Sequence, residues 1–411
     1  MQDNEKKPAL RFKGFTDPWE QRKLEEYLEV SGQKNFEGIY TKEDVLSVSG
    51  DFGIVNQIEF QGRSFAGASV ANYGVVETGD IVYTKSPLKS NPYGIIKANK
   101  GKNGIVSTLY AVYKPKQSAN PEFVQIYFEQ DARMNNYMHP LVNKGAKNDM
   151  KVSAENALKG QIVFPDIKEQ RTISEFFRNL DTLITLHQRK YEKLVNIKKS
   201  MLDKMFPKNG ASVPEIRFKG FTDPWEQRKL GEIAKEVVRN DPASDAPIMM
   251  ITAGNGFIEQ SDRYAFNNAG ESLKKYILLE CGELAYNHGA SKLRPYGSCF
   301  ALTTVEKARI PFVYHCFSVE KSNPEFLSIE LNGANVENQL RKIVSSGARM
   351  DGLLNIAYSE YTEVTVQLPK KEEQDWIAKF FKHLDTLITL HQRKLEKLQN
   401  IKKSCLEKMF V

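Results

Sequence analysis

Two stretches of the chain repeat apolar residues at alternating intervals of three and four positions. In residues 176–206 the pattern is carried by Phe177, Leu180, Ile184, Tyr191, Leu194, Met201 and Met205, and residues 380–410 carry it at the matching positions. This spacing is typical of a coiled-coil seam, so each stretch is predicted to form one long helix whose apolar stripe must be buried. A helix over 176–206 would be about 45 Å long at 1.5 Å per residue.

The two predicted helices can bury each other's stripes. We expect the pairing residues to be Leu180, Ile184, His187, Leu194, Leu384, Ile388, His391 and Leu398. The two histidines occupy equivalent seam positions. A polar contact that fixes the register is favoured there over a catalytic or metal-binding role.

The chain contains an internal repeat. Residues Arg11 to Leu24 read RFKGFTDPWEQRKL, and Arg217 to Leu230 repeat all 14 residues without a change. The segments 176–206 and 380–410 agree at 25 of 31 positions. Weaker similarities fall in register between these segments, so the chain is interpreted as a tandem duplication with a period of about 205 residues.

The stretches between the repeated segments diverge strongly in sequence. They contain short β-type runs separated by Gly, Asn and Pro, such as Gly79 to Tyr83 and Gly104 to Tyr113, together with a helical run at Pro121 to Gln130. Residues 16–20 and their copy at 222–226 predict helix starts, because Asp17 can cap and Pro18 can occupy the first helical position.

These patterns predict an α+β protein with two mixed α/β domains separated by a pair of long helices. Because the repeated opening precedes the first variable domain and the second conserved helix ends the repeat, the arrangement is nearly circular and predicts pseudo-twofold symmetry. The expected segments are a conserved opening at 1–24, a first variable domain at 25–160, a central conserved region at 161–216 with a helix at 176–206, a conserved start with the second variable domain at 217–370, and a distal conserved helix at 371–411.

Charge is concentrated in the predicted helices. The 411 residues carry a formal net charge of +7. Residues 176–206 hold seven Lys or Arg against three Asp or Glu, and so do residues 380–410, so these two stretches carry the excess. No apolar run of about 18 residues is found, which predicts a cytoplasmic protein without a membrane span.

Several catalytic motifs are missing from the sequence. No phosphate-binding G-x-x-x-x-G-K-[ST] loop is present, and Asn91-Pro92-Tyr93 lacks the second proline expected of an amino-methyltransferase. Pro165 to Lys168 is similar to a nuclease signature, but its repeat at Pro369 to Glu372 replaces the carboxylate with lysine. The second-half residues Cys281, His288, Cys299, His315 and Cys316 have irregular spacing and no equivalents in the first half, so we expect no metal site.

The quoted motifs together resemble the DNA-specificity subunit of type I restriction-modification enzymes over essentially the whole chain. They are the R-F-x-G-F-x-x-x-W-E-x-x-K-L opening, the G-[DE]-[IL] strand, the Pro-x-x-x-Glu-Gln lead-in and the L-D-x-L-I-x-L-H-Q-R-K helix. The resemblance implies two target-recognition domains, each reading half of a split DNA sequence, held apart by antiparallel helices. It also implies partners: double-stranded DNA, two adenine-methylating modification subunits and ATP-dependent restriction subunits.

The resemblance implies no catalytic residue and no cofactor in this chain. S-adenosylmethionine, and ATP with Mg²⁺ for restriction, would be bound by the partner subunits. The basic solvent sides of the helices, with Arg189, Lys190, Lys193, Lys198, Lys199 and their copies, are candidates for docking the modification subunits. A merely solvated basic face remains the alternative.

Polar side chains at loop ends are the candidates for reading DNA, because Arg and Lys suit guanine and Asn and Gln suit adenine. In the first domain they are Lys85, Ser86, Lys97, Lys100, Lys102, Lys147 and Asn148. In the second domain they are Asn287, His288, Ser291, Lys292, Arg294 and Arg349. Plain surface positions are the alternative for each of them.

Two other functions remain open at this point. A stand-alone nuclease or methyltransferase with fused recognition domains is disfavoured by its missing motifs. A coiled-coil scaffold without a DNA role is disfavoured by the duplicated pair of divergent domains.

Overall fold

The computed structural model describes residues 7–85, 91–144, 150–208, 210–263, 270–344 and 353–411. The chain forms two compact units, one made of residues 1–189 with 392–411 and the other of residues 190–391. We refer to residues 25–160 as the first head and to residues 231–364 as the second head.

Unit 1 contains the first head. Its strands are β1 Glu20–Lys23, β2 Leu28–Val30, β3 Leu46–Ser49, β4 Gly53–Asn56, β5 Gly74–Val76, β6 Ile81–Thr84, β7 Ile96–Ala98, β8 Gly104–Val106, β9 Tyr110–Pro115, β10 Asn143–Lys144, β11 Met150–Lys151 and β12 Gln161–Phe164. Its helices are α1 Gln57–Gln61, α2 Pro121–Tyr127, α3 Asp131–Met138 and the first part of α4 Ile167–Lys204.

Unit 2 contains the second head. Its strands are β13 Glu226–Lys229, β14 Ala234–Glu236, β15 Met249–Thr252, β16 Gly256–Glu259, β17 Ile277–Glu280, β18 Leu284–Asn287, β19 Ser298–Ala301, β20 Lys307–Ile310, β21 His315–Val319 and β22 Thr365–Leu368. Its helices are α5 Pro324–Leu331, α6 Ala334–Ile343, α7 Tyr358–Tyr361 and the first part of α8 Lys371–Lys408.

The two heads share one sheet topology. The first head has an antiparallel sheet in the order β2-β9-β6-β7, and the second has β14-β21-β18-β19 at the corresponding places. In both halves the repeated opening forms a strand that pairs antiparallel with the strand before the long helix, β1 with β12 and β13 with β22. The predicted mixture of helices and strands is confirmed.

The helix starts predicted at 16–20 and 222–226 are wrong. These segments lead into β1 and β13 instead, and Trp19 and Trp225 are buried in the cores of their units. Pairing with β12 and β22 supplies the backbone hydrogen bonds that an isolated short helix would not make stably.

The long helix predicted at 176–206 begins nine residues earlier, at Ile167. Asp166 caps it, because its side chain accepts hydrogen bonds from the backbone N–H of Lys168 at 2.7 Å and of Glu169 at 3.1 Å. The lead-in Pro165-Asp166-Ile167-Lys168 is therefore the junction between β12 and α4, as the repeat comparison indicates. The distal helix, Lys371–Lys408, lies within the predicted segment 371–411.

Within unit 1, the first part of α4 lies antiparallel to the last part of α8. Phe177 is near Phe410, with ring centroids 6.1 Å apart, and four residues further along α4 Asp181 pairs with Lys402 at 2.9 Å. Glu129 and Asp181 raise the pKa of Lys402 even though burial opposes the shift. The charge of Lys402 on α8 is therefore balanced by that of Asp181 on α4.

Within unit 2 the two helices pack in the same way. Lys198 forms an ion pair with Asp385, the counterpart of the Lys402–Asp181 pair. Leu194 packs against the cluster of buried residues that contains Leu384. Leu180 and Leu384 are buried, while Ile184, His187, Ile388, His391 and Leu398 are partly buried. Their pairing residue by residue remains a prediction.

A buried ion pair joins the repeated opening to the start of each long helix. Arg11 donates two hydrogen bonds of 2.7 Å to Glu169, whose side chain is fully buried, and Arg217 makes the equivalent pair with Glu373 at 2.6 and 2.7 Å. In each unit the residue just before the repeated opening also bonds to the end of a long helix. The backbone N–H of Leu10 donates to the carbonyl of Lys408 at 2.8 Å, just as Ile216 donates to Lys204 at 2.9 Å.

Glu330 makes the stability of unit 2 depend on pH. It is 4% exposed, and burial raises its pKa to about 7, although its carboxylate accepts a hydrogen bond from the backbone N–H of Gln367 at 3.0 Å. Because the folded pKa exceeds the ordinary value of 4.5, folding takes up a proton between these pH values. The contribution of Glu330 to the free energy of unfolding therefore decreases as pH rises from 4.5 to about 7.

We expect Glu330→Gln to remove this dependence. The stability of the variant relative to the parent should rise with pH in that window, by at most about 1.4 kcal/mol per pH unit. Urea unfolding of both proteins between pH 5 and pH 8 measures it, with Glu271→Gln, an exposed glutamate of the same unit, as control. A difference that stays constant over this range would contradict the assignment.

None of the helices in the described part of the chain is long and apolar enough to span a lipid bilayer.

Candidate nucleic-acid interface

In each head a loop follows an interior strand of the four-stranded sheet. Strand β6 leads into residues 85–93, and β18 leads into residues 288–296. We call these residues the strand-end loops. The second is described in full, whereas residues 86–90 of the first lie outside the described residues.

Both strand-end loops are closed by a tyrosine of the preceding strand. The hydroxyl of Tyr83 donates to the carbonyl of Tyr93 at 2.8 Å, and the hydroxyl of Tyr286 donates to the carbonyl of Tyr296 at 2.6 Å. Burial raises the pKa of Tyr83 and of Tyr286 well above the ordinary value, so both hydroxyls keep the proton that they donate. Each closure joins residues ten positions apart.

A glycine follows each closure. Gly94 has φ 76° and Gly297 has φ 82°, a region that other residues rarely adopt. An added Cβ would lie 1.9 Å from the carbonyl oxygen of Thr84 in the first head and 2.7 Å from that of Asn287 in the second. The chain therefore passes so close to the strand end that only glycine fits.

Two of the candidate DNA-reading residues instead support the base of the second strand-end loop. The amide of Asn287 donates to the carbonyl of Ile251 at 3.0 Å and accepts from the N–H of Gly289 at 2.9 Å. Arg294 donates to the carbonyl of Asn332 at 2.6 Å, and burial lowers its pKa. These contacts favour a supporting role for Asn287 and Arg294.

His288 is also buried, at 6% exposure, with its ring centroid 5.1 Å from that of His315. Its carbonyl accepts from the N–H of Leu354 at 2.9 Å, and Gly289 forms a bridge with Leu353. The strand-end loop therefore lies beside the segment that follows residues 345–352.

The outer part of the second strand-end loop is exposed. Ser291 and Lys292 are exposed, and Leu293 is 64% exposed. The hydroxyl of Ser291 accepts from the backbone N–H of Arg294 at 3.0 Å, which orders the turn. The tip of the β15–β16 hairpin is next to it, since a Cβ on Gly254 would lie 3.7 Å from Leu293.

The basic residues of the first head divide into two kinds. Lys97 is 7% exposed and lies 4.0 Å from Glu129, and burial lowers its pKa. Lys100 pairs with Glu122 at 3.6 Å. The burial of Lys97 argues against contact with DNA, and Lys100 is partly neutralised by its partner. Lys85 is partly exposed and Lys102 is exposed.

The remaining candidates from the sequence cannot be placed. Ser86, Lys147, Asn148 and Arg349 lie outside the described residues.

Sequence analysis missed the closure of the strand-end loops. A signal for it was available, because both loops end in Pro-Tyr-Gly, at residues 92–94 and 295–297. It also missed the β15–β16 hairpin as a neighbour of the loop, and no local pattern in the sequence indicates that contact.

The long helices expose an apolar patch at equivalent positions. Leu183 and Leu186 on α4 and Leu387 and Leu390 on α8 are between 43 and 45% exposed. Among the basic candidates for docking, Arg189, Lys190, Lys193 and Lys199 are exposed, whereas Lys198 pairs with Asp385. Each helix therefore presents leucines and cations to solvent.

In the part of the chain that the structure describes, no three or more His, Cys, Asp or Glu side chains are grouped so as to hold a metal ion. Of the cysteines, Cys281 is exposed, and Cys299, Cys316 and Cys405 are buried and free.

Residues 222–400 match a family model described as the type I restriction modification DNA specificity domain. The crystal structure of a type I restriction-modification system S subunit from M. genitalium is 12% identical, covers 98% of this chain and 99% of its own, and superposes with a TM-score of 0.57. This likeness indicates a shared fold.

Two further structures match at lower TM-scores. One comes from work on the structural basis of complex assembly and conformational transition of the type I R-M system. It is 14% identical, the match covers 95% of this chain and 97% of that chain, and the TM-score is 0.43. The other is the HsdS subunit from Thermoanaerobacter tengcongensis, with 16% identity, 95% and 96% coverage and a TM-score of 0.42.

Proposed function

Because residues 222–400 match the model of the type I restriction modification DNA specificity domain, we propose that the chain belongs to this family and is the specificity subunit of a type I restriction-modification complex. Each head reads one half of a bipartite DNA target. The family match favours this function over a stand-alone nuclease or methyltransferase with fused recognition domains.

The observation that carries the proposal is that the two heads have the same framework of strands but different sequences. The two heads share sheet order and tyrosine closure, and the two units that contain them share the buried Arg–Glu pair. Between these shared features the sequences differ. A protein that reads two unlike half-sites needs this arrangement, because the fold positions the loops and the loop side chains select the bases.

The long helices are proposed to set the distance between the half-sites. Each has 38 residues, which corresponds to about 57 Å at 1.5 Å per residue. One turn of duplex DNA is about 34 to 36 Å long, so helices of this length can separate two reading heads by more than one turn. Their antiparallel packing would relate the two heads by pseudo-twofold symmetry and present the half-sites in opposite orientations.

The exposed leucines and cations of the helices are proposed to dock two modification subunits. Leu183 and Leu186 recur as Leu387 and Leu390, so an identical partner can bind twice. The complex would include double-stranded DNA and, for restriction, endonuclease and translocase subunits. Methyl transfer from S-adenosylmethionine, and ATP hydrolysis with Mg²⁺, would take place on those partners.

Replacing the second head by a copy of the first tests the proposal. A chain with residues 25–160 in place of 231–364, expressed with its modification subunit, is expected to methylate a symmetric motif. The half-site of the first head should occur twice, in inverted orientation, because both heads then present the same side chains. Base-modification sequencing of cellular DNA identifies the motif.

The parent chain in the same cells is the control and should methylate one asymmetric bipartite motif. Unchanged DNA with the parent chain would contradict the proposed function. A chimera that alters both half-sites, or repeats the half-site in direct orientation, would contradict the modular or the symmetric part of the proposal.

A further inference from the structure

We propose that the exposed tip of the second strand-end loop, Ser291 to Leu293, contacts base edges of duplex DNA, and that Tyr286 is the positioning residue that holds this loop for reading. The inference rests on the proposed function and identifies the segment that determines specificity within the second head.

The first argument comes from comparing the two strand-end loops. Their closures have the same donor, the same acceptor ten residues later and the same Pro-Tyr-Gly ending. Six of the seven residues inside them differ, since Lys85 to Asn91 read KSPLKSN and His288 to Arg294 read HGASKLR, and only Lys89 and Lys292 are the same at equivalent positions. The two loops have the same length and the same closure, but most of their residues differ. In an unconstrained surface segment, length would vary as freely as sequence.

The second argument is that the base of the loop is anchored by contacts within the head, whereas the side chains of its tip are exposed to solvent. Asn287 and Arg294 bind backbone carbonyls of Ile251 and Asn332, and Gly289 bridges to Leu353. These anchors come from a strand, a helix end and the segment after residues 345–352. A tip held from three directions loses little conformational entropy when it binds, which favours specific recognition.

The third argument is the chemistry of the tip. Lys292 can donate to the guanine O6 and N7 acceptors, and the hydroxyl of Ser291 can donate to or accept from either kind of base. Leu293 is 64% exposed although it is apolar, and a thymine methyl group is an apolar partner in the major groove. The three side chains together therefore match the major groove and would be poorly suited to phosphate contact alone.

Tyr286 acts through the loop and touches no base in this proposal. Its ring is buried and stacks on Tyr361 with centroids 4.0 Å apart, so only its hydroxyl reaches the loop. Tyr286→Phe keeps the ring and its stacking and removes the closure. The loop should then populate several conformations, and discrimination should fall while the fold persists.

The experiment measures binding of the complex of this chain with its modification subunit to three duplexes. The first duplex carries the complete motif that the parent complex methylates. In the second duplex the half-site read by the second head is replaced, and in the third the half-site read by the first head is replaced. The variants are Lys292→Ala and Tyr286→Phe. Lys274→Ala is the control, because Lys274 is an exposed lysine elsewhere in the same head.

Lys292→Ala is expected to reduce discrimination at the second half-site about tenfold and to leave the first unchanged. Tyr286→Phe should also reduce discrimination only at the second half-site, with an unaltered salt dependence of binding. Lys274→Ala should change neither ratio.

A uniform loss of affinity on all three duplexes with a shallower salt dependence would assign Lys292 to phosphate and overturn base reading. Unchanged ratios in both variants would overturn the inference, and a loss at both half-sites for Tyr286→Phe would show a merely structural tyrosine. Failure of the parent complex to discriminate any duplex would instead count against the proposed function.

Discussion

Inserting one heptad into each long helix is expected to lengthen the spacer of the DNA target by about three base pairs. Duplicating residues 191–197 and 395–401 adds seven residues to both helices and repeats equivalent seam positions. Seven residues extend a helix by about 10.5 Å, and successive base pairs are about 3.4 Å apart. Methylation should therefore move to a motif with unchanged half-sites and a longer spacer.

Base-modification sequencing determines the half-site sequences and the spacer length in one measurement. A seven-residue insertion after Lys208, between the end of α4 at Lys204 and the start of β13 at Glu226, is the matched control and should leave the motif unchanged. An unaltered spacer in the heptad variant would show that the helices do not set the spacing. Inserting the heptad into one helix alone should impair folding, because the Lys198–Asp385 and Lys402–Asp181 pairs cannot both stay in register.

Arg11→Met is expected to destabilise unit 1 by about 3 to 5 kcal/mol, because it leaves the fully buried carboxylate of Glu169 without its partner. For a unit of this size the melting temperature should fall by on the order of 10 °C. Hydrogen exchange resolved along the chain should show lost protection in unit 1 and preserved protection in unit 2. Arg217→Met should give the reverse, because the same pair is present there with Glu373.

Two controls separate the buried charge from general damage. Adding Glu169→Leu to Arg11→Met should recover part of the lost stability, since no unpaired charge remains buried. Lys370→Met removes an exposed pair with Asp223 and should change stability by less than about 1 kcal/mol. Equal losses for Lys370→Met and Arg11→Met would contradict the argument from burial.

The long helices could be predicted because their signal is repeated many times within one segment. A seam that continues from Leu180 to Met205 identifies a helix even where charged residues interrupt it. The pattern predicts the start of α4 nine residues too late, because the first turns of the helix bury Glu169 and Gln170. Polar residues at buried positions give no apolar periodicity.

The opening segments were mispredicted because local signals competed with a distant partner. Asp17 and Pro18 are typical of a helix start, yet residues 20–23 pair with residues 161–164. Nothing between these segments in the sequence reveals that pairing. Tertiary contacts over such a separation commonly override local preference.

The candidate site was only partly predictable for a related reason. The sequence indicates which side chains are chemically able to meet DNA but not which of them the fold uses internally. Arg294 and Lys97 have suitable chemistry, and the structure uses one to anchor a loop and buries the other beside Glu129. Ser291 and Lys292 have the same kind of chemistry and are exposed.

The packing of Phe410 in unit 1 reverses the usual order of folding during protein synthesis. Its ring lies in the core cluster that contains Trp19 and Phe123, so this core is incomplete until residues near 410 have left the ribosome. Residues 190–391, which form unit 2, emerge earlier. The core of unit 1 is therefore completed last although most of its residues are translated first, and premature termination in the last part of α8 would leave this core unfinished and exposed to aggregation.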